Sequence, residues 1–151
     1  MDANKQYLPA SVVPGLQSRK AAALIDYLTG TVGFVEHARF EEHGVVIHAE
    51  LLWPEGGMVM VSSHAEGTLW AREPGSAQLN VYTHDPDDLY ARLQAADASI
   101  IRDLQDTDYG DRGFAINDPD GNLWAFGKYR GQPLPGANGA KDQDVSYEGH
   151  A

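Results

Sequence analysis

The chain has 151 residues with a formal charge of −11, a hydrophobic fraction of 42% and a charged fraction of 22%. That composition fits one ordinary globular domain or two small fused modules, and its acidity excludes nucleic acid, whose phosphates require Lys and Arg. The absence of Cys removes disulfides, thiolate nucleophiles and Cys-ligated metals from consideration, and no apolar run is long enough to span a bilayer.

No apolar segment follows Met1–Lys5, so a cytoplasmic protein is expected. Residues 1–10 read as a lead-in. Residues 11–64 read as a first module: a strand over Ser11–Gln17, with Pro14 marking an edge or bulge, then a helix over Arg19–Leu28. Ala21, Ala22, Leu24, Ile25 and Leu28 recur there at helical spacing, and Gly30 stands as the stop. Strands follow over Phe34–Phe40, Val45–Trp53 and Met58–His64, with turns at Glu41–Gly44 and Glu55–Gly57. Residues 65–76 hold two Gly and a Pro and read as a linker.

The pattern then restarts over residues 77–130. Gln78–Thr83 is a strand. Asp85-Pro86-Asp87-Asp88 is a helix start, with an N-cap acid, Pro in the first turn and acid near the positive end of the dipole. Leu89, Leu93 and Ala96 form its inward stripe. Ile100–Leu104 is a strand, and Arg112–Asn117 pairs with Leu123–Tyr129 across Asp118-Pro119-Asp120-Gly121. Residues 131–151 read as a mobile tail. The expected fold is α+β: two tandem βαβββ modules forming a curved mixed sheet with a concave cavity at their seam.

Three segments carry a family resemblance: Val12-Val13-Pro14-Gly15-Leu16 before the Ala-rich helix, Thr31-Val32-Gly33-Phe34 after it, and Tyr109-Gly110-Asp111-Arg112-Gly113-Phe114 leading to Asp118–Trp124. Together they resemble the vicinal oxygen chelate superfamily of glyoxalases, bleomycin resistance proteins and dioxygenases, over roughly residues 10–130. Enzymes of that group hold a divalent metal with ligands from strands one, four, five and eight. The resemblance puts those positions at Val13, Met60, Gln78 and Ala125. Only Gln78 carries a usable oxygen, so neither a metal nor another cofactor is expected. No Asp, Glu or His follows Gly121 along the eighth strand, so a slip of register there recovers no ligand.

Other residues suggest a different site. His48 and Glu50 are two apart on one strand and so share a face, with Ile47, Ala49 and Leu51 expected on the opposite, helix-packed face. Gln17, Ser62, His64, Asn80 and Tyr82 are expected to gather near the pair. The functional reading is a ligand-contacting or acid–base pair; the plainer one is a hydrogen-bonded pair on a wetted sheet. Trp53, Trp70 and Tyr109 are candidate pocket walls, whereas Trp124 and Phe126, flanking Ala125, belong in the core. The acids Asp103, Asp106, Asp108 and Asp111 either draw a basic ligand to the rim or form a solvated loop.

The expected function is therefore metal-free binding of a small organic molecule, with sequestration of a cationic or heteroaromatic compound, as in antibiotic resistance, as its extension. Contacts are expected from Gln17, His48, Glu50, Trp53, Met60, Gln78 and Tyr109, in crevices lined by both chains of a homodimer. The competing readings are a lyase, isomerase or dioxygenase, with a displaced metal site or with His48 and Glu50 as base and orienter, and an interaction module with a closed, dry seam.

Overall fold

A computed structural model describes residues 10–133. The expected lead-in and most of the expected tail lie outside the described residues. The element order is β1 (Gly15–Ser18), α1 (Ala21–Tyr27), a π-helical turn (Leu28–Val32), β2 (Val35–Glu42), β3 (Val45–Leu52), β4 (Met58–Ser63), β5 (Gln78–Tyr82), α2 (Pro86–Ala95), β6 (Ser99–Asp106), β7 (Arg112–Asn117) and β8 (Leu123–Gly127). The fold is α+β, as expected, and each half is a βαβββ unit. Its strands form two separate four-stranded sheets, β1-β4-β3-β2 and β5-β8-β7-β6, in place of one continuous curved sheet. In each sheet the first strand runs parallel to the fourth and the remaining pairs are antiparallel. No helix among the described residues is long and apolar enough to cross a membrane.

Three local details differ from the sequence expectation, each for a physical reason. The first strand begins at Gly15, because Pro14 has no N–H to give and offers only its carbonyl, to the Met60 N–H at 2.9 Å. The first helix continues past Gly30 into the π turn. The Thr29 hydroxyl donates back to the Ile25 carbonyl at 2.8 Å, and the chain closes at Gly33, whose φ of 114° suits glycine. The β2–β3 hairpin tightens to His43-Gly44, with φ of 51° and 78°, the pattern of a two-residue primed turn.

One face of each sheet is apolar and packs on its helix. Leu16, Ala49, Leu51 and Val61 meet Leu24, Ile25 and Leu28 in the first module, and Phe114, Ile116, Trp124 and Phe126 join Leu89 and Leu93 in the second. Trp124 and Phe126 are core residues, as expected; Ala96 is exposed at the end of α2. The two cores merge through aromatic rings. Phe34 lies 5.0 Å from Trp53 and 5.5 Å from Trp124, and Trp53 lies 5.9 Å from Phe126, centroid to centroid. Such tilted and edge-on pairs add about 0.5–1.5 kcal/mol each beyond the area they bury.

Polar contacts reinforce this seam. The Trp53 indole N–H donates to the Tyr82 carbonyl at 2.8 Å. Arg92 of α2 reaches across to the Thr31 and Val32 carbonyls, at 3.1 and 3.3 Å, and so satisfies acceptors left at the end of the first helix. Glu55, on the β3–β4 turn, accepts from the His84 backbone N–H at 2.9 Å and from the His84 ring.

The Asp118 carboxylate organises the last turn. It is buried and accepts from the Asp120 and Asn122 N–H groups, the Asn122 amide and the Trp124 indole, at 2.9, 3.0, 2.9 and 2.9 Å. Asn122 in turn accepts from the Ala77 N–H at 3.0 Å and fixes the start of β5. Asp118→Ala strands four donors at once. It is expected to cost about 3 kcal/mol or more, read as a lowered urea midpoint, and Trp124→Phe should cost less because it removes only one of the donors.

The Glu55–His84 contact makes stability depend on pH. Burial alone would raise the Glu55 pKa, but the backbone and ring of His84 outweigh it and hold it below its ordinary 4.5. The Glu55 carboxylate holds His84 above its ordinary 6.5. The Glu55 contribution is present above 4.5 and fades as pH falls through its lowered value; that of His84 is present below 6.5 and fades as pH rises through its raised value. The melting-temperature gap between the protein and His84→Ala is expected to be widest between pH 4.5 and 6.5 and to narrow on both sides.

Candidate functional site

The face of each sheet turned away from the helices carries a hollow. The first, of about 780 Å³, is lined by residues between Gly15 and Arg72. The second, of about 430 Å³, is lined by residues between Gln78 and Tyr129. Within one chain the two hollows therefore share no residue and no module.

Register explains the floor of each. In the first sheet Ala38, Glu50, Met60 and Gly15 stand side by side in one row. In the second sheet the equivalent row is Arg102, Ala115, Ala125 and Asn80. Met60 and Ala125 thus hold equivalent places on strands β4 and β8. Gln78 lies two residues before Asn80, and Val13 lies two before Gly15, ahead of the start of β1. A methionine thioether, a valine, an alanine and one amide do not make a hard or borderline divalent site. No group of three or more His, Asp or Glu able to hold a metal occurs among the described residues.

His48 and Glu50 share the open face, with His48 Nε2–H donating to Glu50 Oε2 at 3.0 Å. His48 also stacks on Phe40 at 6.1 Å. The opposite-face expectation holds for Ala49 and Leu51 and fails for Ile47. A bulge pairs Phe40 with His48 and Glu41 with Val46, leaving Ile47 as the extra residue. Val46 is buried in its stead, and Ile47 lines the first hollow.

Gln17 joins the linker to the same hollow. Its Nε2 donates to the Trp70 carbonyl at 2.5 Å, and its Oε1 accepts from the Arg72 N–H at 2.9 Å. Because a backbone N–H can only donate, the orientation of the amide is settled, and His64 Nδ1–H must donate to the same Oε1 at 3.0 Å. Arg19 and Glu73 add an exposed ion pair at 3.1 Å. The linker is thereby laid along the rim, and the Trp70 ring, 76% exposed, stands as its wall.

Of the residues singled out in the sequence, Gln17, His48, Met60, Ser62, His64 and Trp70 gather at the first hollow, with Glu50 beside His48. Gln78, Asn80 and Tyr109 line the second. Tyr82 lies under the Arg130 guanidinium, 3.9 Å away, and lines a smaller cleft of about 250 Å³ between the modules. Trp53 is 9% exposed and belongs to the seam, because its ring packs between Phe34 and Phe126. Sequence reasoning missed Val45, Ile47 and Arg72 in the first hollow and Arg102 in the second. A bulge and a linker docked by backbone hydrogen bonds leave no periodic signal.

The acid patch is largely partnered. Asp103 accepts from the Tyr90 hydroxyl at 2.8 Å, Asp106 pairs with Arg112 at 3.2 Å, and Asp111 accepts from the Tyr129 N–H at 2.9 Å. Asp87 also binds Arg112, and these two carboxylates push the guanidinium pKa further up.

The family model described as the Glyoxalase/Bleomycin resistance protein/Dioxygenase superfamily matches residues 12–126. Among solved structures, the chain is similar to TioX from Micromonospora sp. ML1, at 30% identity and a TM-score of 0.69, over 80% of this chain and 98% of that one. It is similar in fold to a glyoxalase/bleomycin resistance protein/dioxygenase from Nocardioides, at 18% identity, TM-score 0.61, over 88% of this chain and 91% of that one. A lactoylglutathione lyase from Agrobacterium tumefaciens is also similar in fold, at 17% identity, TM-score 0.59, over 80% and 95%. No curated protein matches the chain. The chain belongs to the glyoxalase/bleomycin resistance protein/dioxygenase superfamily.

Proposed function

We propose that the protein is a metal-free binder that sequesters a small organic compound, heteroaromatic or cationic, without converting it, in the manner of an antibiotic resistance protein. The observation that carries this reading is Trp70. Its ring is mostly in water, yet its backbone is fixed by Gln17 at the wall of a hollow of about 780 Å³, within the range of small-molecule pockets. A flat guest laid on the indole would cover apolar surface that the described residues leave open.

The heteroaromatic alternative is the better supported. Among the described residues the lining of the first hollow includes Arg72, His48 and His64, and the carboxylate beside it on the same face, Glu50, is hydrogen-bonded to His48. The split of the two hollows supports a homodimer. Setting the first hollow of one copy against the second of its partner would join the Gln17–His48–Met60 floor to the Gln78–Tyr109 floor. The rims suit that role, since Phe40, Ile47 and Leu69 are exposed around one hollow and Ile101, Tyr109 and Tyr129 around the other.

The second reading, an isomerase, draws on the His48–Glu50 hydrogen bond, because a carboxylate-oriented imidazole is a serviceable base. Thermal shift with neutral 2-phenylquinoline and cationic 9-aminoacridine, followed by mass analysis of the recovered probe, separates the two. Binding at a hundred times Kd should add about 2.7 kcal/mol of stability, with the probe unchanged. Trp70→Ala should weaken binding by about three- to tenfold, as expected for a stacking contact of ~0.5–1.5 kcal/mol. Conversion of the probe that is lost in His48→Gln would favour the enzyme. Sedimentation should give twice the chain mass of 16.4 kDa, and Ile47→Glu at the rim should shift it toward the monomer.

A further inference from the structure

We infer that Arg102 is the anchor for a carboxylate on the guest, a claim that rests on the binding reading above and narrows its ligand class. Arg102 pairs with Ala115 across the β6–β7 ladder, so it projects on the open face of the second sheet and lines the second hollow. Its neighbours along the row are the methyl groups of Ala115 and Ala125 and then Asn80. Two alanines in succession leave the floor low over a width of about 10 Å, two strand spacings. A long side chain entering from β6 has room to lie there.

Among the described residues the guanidinium has no partner of its own. Arg102 makes no side-chain hydrogen bond and no ion pair among the described residues, and its Nε is shielded from solvent without an acceptor. Buried donors are normally satisfied, so an unpaired one in a cavity marks the place of an absent acceptor. The other arginines near the site differ. Arg112 is held by Asp87 and Asp106, and Arg72 donates to the Leu69 and Ala71 carbonyls. The one acid lining this hollow, Asp111, gives an oxygen to the Tyr129 N–H. Glu50, which a second copy would bring opposite, is held by His48.

The class of guest follows from geometry. A guanidinium presents parallel donors in one plane, which match the two oxygens of a carboxylate. Asn80 and Tyr109, on the same hollow, supply further polar contacts, and Ile101 and Leu123 supply apolar walls. The guest is thus an aromatic acid, its ring against the apolar walls and its carboxylate on Arg102. Where the family resemblance puts a metal-binding carboxylate, at Ala125, this chain has a methyl group, and the charge of that row is a fixed organic cation.

The test uses the full-length protein with 2-naphthoate and its neutral isostere 2-naphthamide, at pH 7, by calorimetry and by NMR of the arginine Nε–H groups. Naphthoate is expected to bind about tenfold tighter and to shift the Arg102 Nε–H resonance. Arg102→Met should erase the preference, bringing naphthoate down to the affinity that naphthamide has for the same variant. Equal binding of the two probes, or a preference that survives Arg102→Met, would overturn the assignment and leave the binding function standing. If neither probe binds the unaltered protein while 2-phenylquinoline does, the role of Arg102 falls and the binding function stands; if none of the three binds, the binding function falls with it.

Discussion

The aromatic seam is the constraint on which the rest depends. Phe34 and Trp53 of the first module interleave with Trp124 and Phe126 of the second. Large rings that bury 150–250 Å² apiece tolerate little sliding. Once the modules are joined through these side chains, each sheet must present its other face elsewhere, and neither face is covered by the described residues. The hollows are a consequence of this packing. A single chain can finish its core and still leave two floors unroofed.

The chain's acidity and the character of its hollows are separate matters. Several of the carboxylates are bound up with Arg112, Tyr90, His84 and backbone N–H groups. The first hollow is lined by Arg72 and two histidines, and the second by Arg102 against Asp111. Net charge governs solubility and long-range encounter. Specificity is set by the few groups within hydrogen-bonding reach of a guest, and the lining described for the two hollows holds two arginines and two histidines to one carboxylate, Asp111.

Much of the fold was legible because it rests on local rules. The Asp-Pro start of α2, the Asp-Pro-Asp-Gly turn before β8 and the two-residue alternation around His48 and Ala125 each placed an element or a face correctly. Alternation puts Ile47 on the helix side because it assumes no bulge, and Trp53, a strand-end aromatic, reads as a pocket wall alone, whereas its ring packs at the seam and lines the small cleft between the modules. Trp70 is legible only as one of three candidate pocket walls, since nothing in residues 65–76 announces that Gln17, more than fifty positions earlier, will hold their backbone.

Arg102 shows the same limit from the other side. In sequence it is an ordinary basic residue on an edge strand, where a cation commonly discourages strand pairing. Its meaning depends on Ala115 and Ala125, which sit on two other strands and look unremarkable by themselves. Had either been a Leu or a Glu, the side chain would have been turned out to solvent or given an internal partner. Small residues at registered positions are what convert a surface charge into a binding group. Such positions emerge only when the ladder β6-β7-β8-β5 is assembled.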